Sequence, residues 1–178
     1  MAPPYPWDVD LPVRLSGPVG PLPTHPEGVE MARVLVADDD QDSRDGLIRA
    51  VRHAAGGVTI AGVTDGDQAF QALLSRPFDL AVLDLCMPGL TGLQAVRAAR
   101  RFGVTTPVVL VSAWATAEVA REAAKVGVED LLEKPVPPLA LAALVREVLG
   151  RFPAETVQAG KPRREGRRTR RTVGQGQP

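Results

Sequence analysis

The sequence predicts an α/β domain: a five-stranded parallel sheet with helices wound over both faces. Short apolar, β-branched runs alternate five times with segments of helical periodicity between residues 33 and 152. The runs are continuously apolar rather than alternating, the pattern of strands buried on both faces. Each is followed by a segment long enough to cross back over the sheet, as parallel strands require. The composition permits such a core, with 178 residues of which 44% are hydrophobic, in the range of a single globular domain.

Residues 33–37, Arg33-Val34-Leu35-Val36-Ala37, form the first expected strand. A helix follows over 41–55, with Leu47, Ile48, Val51, Ala54 and Ala55 at helical spacing, and Gly56-Gly57 stops it. Val58–Val63 reads as the second strand, and Gly66–Ser75 as a helix with Ala69, Phe70, Leu73 and Leu74 at helical spacing. Asp79–Leu83 is the third strand. After a loop at Pro88-Gly89, Gly92–Arg101 is a helix with Leu93, Val96 and Ala99 inward. Pro107–Val111 is the fourth strand, and Ala115–Val126 a helix ended by Gly127. Glu129–Leu132 is a short fifth strand, and Pro137–Phe152 a last amphipathic helix with Leu141, Leu144, Val145 and Val148 facing in. With right-handed crossovers, five such units suit the flavodoxin-like doubly wound order 2-1-3-4-5.

The flanks differ from this middle. The 21 Lys and Arg match the 21 Asp and Glu, which at face value argues against a polyanionic partner. The zero is a sum of unlike segments. Residues 1–30 carry Arg14 against Asp8, Asp10, Glu27 and Glu30, a net of −3, and eight prolines. They read as an extended or disordered arm. Met31 opens the orderly stretch and is the expected biological start. Residues 151–178 carry eight basic residues against Glu155 and Glu165, a net of +6, and residues 153–178 read as a disordered basic tail. That tail suits solubility, or electrostatic contact with phosphate backbones or an acidic partner. A transcription regulator using the tail on nucleic acid is an alternative reading. The tail has no aromatic residue interleaved for base stacking, so nucleic acid is not the expected partner. One cysteine, Cys86, excludes an internal disulfide framework. No long apolar run marks a membrane span and no signal peptide is evident, so a cytoplasmic protein is expected.

In a doubly wound sheet, ligands bind beyond the carboxyl ends of the strands, at the switch point. Asp38-Asp39-Asp40 follow the first strand, Asp84 the third, Ser112 the fourth and Lys134-Pro135 the fifth. Singly, each has an ordinary explanation: carboxylates suit helix N-termini, and Asp84 suits a turn. Gathered in one crevice, the carboxylates repel and need a cation. Oxygen ligands favour Mg²⁺, bound through a few carboxylates, waters and substrate phosphate. The metal and Lys134 would neutralise a transferring phosphoryl group, a carboxylate oxygen would attack in line, and the Ser112 hydroxyl would donate to a phosphoryl oxygen. That is an aspartyl-phosphate site.

The motifs VLVADDD, LDLCMPGLTGL, VVLVSA and EKP, at these separations, make the stretch from Met31 to Arg151 resemble the receiver domain of two-component response regulators. The resemblance implies a stand-alone receiver over residues 31–152, with Asp84 accepting a phosphoryl group from a histidine kinase or histidine phosphotransfer protein. It implies Mg²⁺ held by Asp39 directly, by Asp38 through water, by Asp84 and by the Cys86 carbonyl. Ser112 and Lys134 would contact the phosphoryl group, and the Lys134–Pro135 peptide would be cis. Asp40 falls outside the acidic pair and is expected to cap the first helix. Output would pass to an unknown downstream protein, since 27 residues after Arg151 cannot form a second core.

The sequence departs from the family at Leu131, where the family carries Phe or Tyr. Cys86 and Trp114 flank the expected path of hydrolytic water without a strong polar group, which predicts a long-lived phosphorylated form. Other readings of the acids are an aspartyl phosphohydrolase, a flavin carrier and a pseudo-receiver. Asp84 after the third strand counts against the first, the acidic loop after the first strand against the second, and the complete acid set against the third. His25 and His53 are neither metal ligands nor phosphodonors in this reading.

Overall fold

The computed structural model describes residues 31–151. The elements are β1 (Arg33–Ala37), α1 (Gln41–Ala54), β2 (Thr59–Val63), α2 (Gly66–Ser75), β3 (Leu80–Asp84), α3 (Gly92–Arg101), β4 (Val108–Ser112), α4 (Ala117–Lys125), β5 (Asp130–Glu133) and α5 (Pro138–Gly150). The strands form one sheet in the order β2-β1-β3-β4-β5, all pairs parallel. This is the predicted flavodoxin-like winding. The expected arm over 1–30, with Tyr5, Trp7 and His25, and the basic tail lie outside the described residues.

Period-two alternation splits each strand between two cores. Val34 and Val36 of β1 join Val82, Val109 and Val111 beneath Leu47 and Val51 of α1 and Leu141, Val145 and Val148 of α5. Leu35 and Ala37 join Ala81, Leu83 and Leu110 beneath Phe70, Leu93, Val96 and Val119 of α2, α3 and α4. All five residues of β3 and of β4 are buried. One inward expectation is softened, since Leu144 is only half-buried, and Leu74, at helical spacing in α2, is exposed.

Four helices start on a side chain that accepts an N–H from the first turn: Asp40 from Ser43, Asp65 from Gln68, Thr91 from Gln94 and Thr116 from Val119. Each such cap contributes about 1 kcal/mol. The α5 helix starts on Pro138 instead, the residue type whose missing N–H costs nothing there.

The structure corrects several boundaries. β3, β4 and β5 each run one residue further than their composition suggests, so Asp84 and Ser112 are final strand residues rather than the first loop residues. Their side chains are polar but their main chains still pair, Asp84 with Val111 and Ser112 with Glu133. α4 begins at Ala117 rather than Ala115, because the Thr116 cap fixes its start. α1 ends one residue early, at Ala54, and α5 ends at Gly150 rather than Phe152.

Candidate functional site

The carboxyl ends of β1, β3, β4 and β5 bring Asp38, Asp84, Ser112 and Lys134 to one edge of the sheet. Asp38 and Asp84 are buried, at 0% and 3% exposure. The Lys134 ammonium bridges them, with Nζ 2.8 Å from Asp38 Oδ2 and 2.6 Å from Asp84 Oδ1. The lysine reaches in because its own N–H donates to the Ser112 carbonyl at 2.8 Å, extending the β4–β5 ladder past β5. The peptide that follows, Lys134–Pro135, is cis, as expected.

Asp84 is held on its other side as well. Its Oδ2 accepts the Cys86 N–H at 2.5 Å. A Cβ at Gly92 would overlap the Asp84 carbonyl, so glycine there lets the start of α3 press against the end of β3. Gly89 turns the intervening loop with a φ of 72°, a conformation side chains disfavour.

Asp38 is fixed by four groups. Oδ1 accepts the Asp40 N–H at 3.0 Å, and Oδ2 accepts the Ser43 hydroxyl at 2.6 Å as well as Lys134. Its main-chain carbonyl accepts Arg44 Nη1 at 2.8 Å. Ser43 and Arg44 were not among the sequence-derived candidates. The one signal for Ser43 is a hydroxyl three positions after the cap Asp40.

Ser112 is fully buried, and its Oγ accepts the Trp114 N–H at 3.0 Å. The Trp114 ring is exposed. Asp39 is exposed at the rim beside Asp38. Asp40 caps α1, as expected, and Leu131 packs half-buried against the core beneath α2, α3 and α4.

The electrostatics follow from burial. Burial pushes the Asp84 carboxyl above the usual carboxylate range, more than Lys134 and the Cys86 amide pull it back, and the Asp38 charge adds to the rise. Burial also works against the Lys134 ammonium, but its hydrogen bonds to Asp38 and Asp84 outweigh that and hold it above the usual lysine range. Two buried carboxylates thus share one cation, leaving negative charge in excess.

That excess suits a hard cation. Among the described residues no three His, Cys, Asp or Glu side chains form a ready-made cage. The buried Asp38 and Asp84, with the exposed Asp39 next in sequence to Asp38, instead make a sparse oxygen set, of the kind Mg²⁺ completes with water. The residues present therefore fit the ion.

A doubly wound sheet whose switch point gathers the adjacent acids Asp38 and Asp39, the strand-ending Asp84, the Ser112 hydroxyl and Lys134 defines a receiver-type signalling domain. The response regulator receiver domain family matches residues 34–146, and the chain belongs to that family. The response regulator PmrA of Pseudomonas aeruginosa is 39% identical over 121 residues, covering 67% of this chain and 53% of PmrA. The sensor histidine kinase GacS of Pseudomonas protegens is 34% identical over 123 residues, covering 66% of this chain and 13% of GacS. Relatives thus include both response regulators and sensor kinases. The chain spans about half the length, or less, of the curated relatives it matches first. Among solved structures, the receiver domain of the Francisella response regulator 1452 superposes with a TM-score of 0.62 at 29% identity, covering 67% of this chain and 98% of that one. Receiver domains are signalling domains rather than conventional enzymes. No helix among the described residues is long and apolar enough to cross a membrane.

Proposed function

We propose that the receiver unit, residues 31–152, takes a phosphoryl group onto Asp84 from a phosphohistidine of a histidine kinase or phosphotransfer protein, and signals by binding a downstream partner. The observation that carries this is the Lys134 ammonium clasped between buried Asp38 and Asp84 at the switch point.

An Asp84 carboxylate oxygen attacks phosphorus, an O–P bond forms, and the N–P bond to the donor imidazole breaks. The departing imidazole nitrogen takes a proton from solvent. Lys134 exchanges its contact with Asp84 Oδ1 for one with the transferred group, and stays tied to Asp38. The Cys86 N–H holds the other Asp84 oxygen, so the carboxylate presents one face to the donor. Ser112, already anchored by Trp114, donates its hydroxyl proton to a phosphoryl oxygen. Asp39, Asp84 and the Cys86 carbonyl, with Asp38 acting through water, would hold Mg²⁺, which would supply positive charge against the phosphoryl oxygens.

The test is incubation of the full chain with a radiolabelled small-molecule phosphodonor such as acetyl phosphate, with Mg²⁺. A base-labile label that disappears in Asp84→Ala and with chelator is expected. A label that survives in Asp84→Ala overturns the assignment of the acceptor. No label at all, in a folded protein with Mg²⁺, makes the chain a receiver that binds without phosphorylation.

A further inference from the structure

We infer that Ser43 is a positioning residue for the metal-binding acid Asp38, an inference that rests on the phosphoacceptor reading above. Three hydrogen bonds close a ring. Asp38 Oδ1 accepts the Asp40 N–H at 3.0 Å, Asp40 Oδ1 accepts the Ser43 N–H at 2.7 Å, and the Ser43 hydroxyl donates to Asp38 Oδ2 at 2.6 Å.

The geometry follows from the helix start. Asp40 is the cap and Ser43 the third residue of α1, so the cap bond fixes the Ser43 main chain. Side chains in a first turn lean toward the helix N-terminus, which brings the hydroxyl back over Asp38. Ser43 and Lys134 then approach Asp38 Oδ2 together. Both also line one cavity of about 540 Å³ between α1 and the start of α5, with Leu47, Pro135 and Leu141.

Asp38 is therefore prevented from rotating about its carboxylate axis by donors on both oxygens. Without the hydroxyl, Oδ2 retains only the Lys134 ammonium. The carboxylate can then follow the lysine when the lysine shifts toward a phosphoryl group. Groups that orient a ligand in this way typically alter metal affinity by about 10–100-fold when removed.

The experiment is Mg²⁺ titration of the full chain by calorimetry, with circular dichroism to confirm folding. Ser43→Thr and Ser43→Val are compared because they differ only in the hydroxyl, and Ser43→Ala is the simple deletion. About tenfold weaker Mg²⁺ binding is expected in Ser43→Ala and Ser43→Val, with Ser43→Thr within about twofold of the parent. Binding by Ser43→Val equal to that of Ser43→Thr overturns the positioning role while leaving the phosphoacceptor reading intact. Failure of the parent itself to bind Mg²⁺ overturns both.

Discussion

At the scale of single residues, Asp84 is held in an environment that disfavours its charge. It is buried at the end of β3, and one ammonium serves both it and Asp38. Its folded pKa lies above the unfolded value, so the folded state binds the proton more tightly. Its contribution to stability is largest at acid pH and is lost as pH rises from the unfolded carboxylate pKa through the folded one. Neutral protein without metal therefore bears the full cost. Asn keeps the shape and an oxygen for the Cys86 N–H, and leaves Lys134 paired with Asp38. Asp84→Asn is expected to raise Tm relative to the parent at pH 7 in chelator. The gain should shrink as pH falls toward 4. Thermal unfolding that shows Asp84→Asn less stable than the parent at pH 7 contradicts this account. The acid itself was legible from the sequence, as were Asp38 and Lys134, because each ends or follows an apolar strand run. Ser43 was not, because its reach to Asp38 depends on the shape of the turn around Asp40 rather than on any spacing motif.

At the scale of elements, the site is held in place by bonds between loops that composition does not reveal. Arg100, in the last turn of α3, donates to four carbonyls: Val104 at 2.8 Å, Thr106 at 2.8 Å, Val126 at 3.1 Å and Gly127 at 3.2 Å. The first two lie in the loop before β4 and the last two in the loop before β5. One guanidinium thus ties together the entries to the strands that deliver Ser112 and Lys134. Burial lowers its pKa, and the negative charge of Glu129 opposes this, but a guanidinium stays charged at any ordinary pH. In sequence, Arg100 is merely a basic residue near a helix C-terminus, a placement that needs no partner. Arg100→Ala strands the four carbonyls and is expected to cost about 2–4 kcal/mol in urea unfolding. Arg100→Lys should recover less than half of this, since an ammonium cannot span the fork. An alanine cost below about 1 kcal/mol would show that water replaces the guanidinium freely. The strand ends illustrate the same limit of sequence: Asp84 and Ser112 look like loop residues by polarity, yet their main chains belong to the ladder. Helix starts were more legible, since Asp40 announced its cap, whereas Thr116 was passed over for the helix-forming Ala115 before it.

At the scale of the whole molecule, the sheet is shared by two cores. Leu131 of β5 packs toward α2, α3 and α4, and its neighbour Leu132 toward α1 and α5. The same division holds along β1, β3 and β4, so losing the helices of either core exposes one face of the strands on which the other core also rests. The described unit should therefore unfold as one. Calorimetry of the full chain is expected to show a single transition whose calorimetric and van't Hoff enthalpies agree. The site lies across the ends of four of the five strands, so an ion bound there stabilises the whole sheet and not one loop. With free Mg²⁺ at about ten times its Kd, linkage adds about 1.4 kcal/mol, which moves that one transition up by about 4–6 °C. Asp84→Asn should start higher without metal and gain less from Mg²⁺, because the charge that the ion neutralises has already been removed. Two separated transitions would refute the shared-sheet argument. A single transition that Mg²⁺ leaves unmoved would refute the metal site while leaving the fold argument standing.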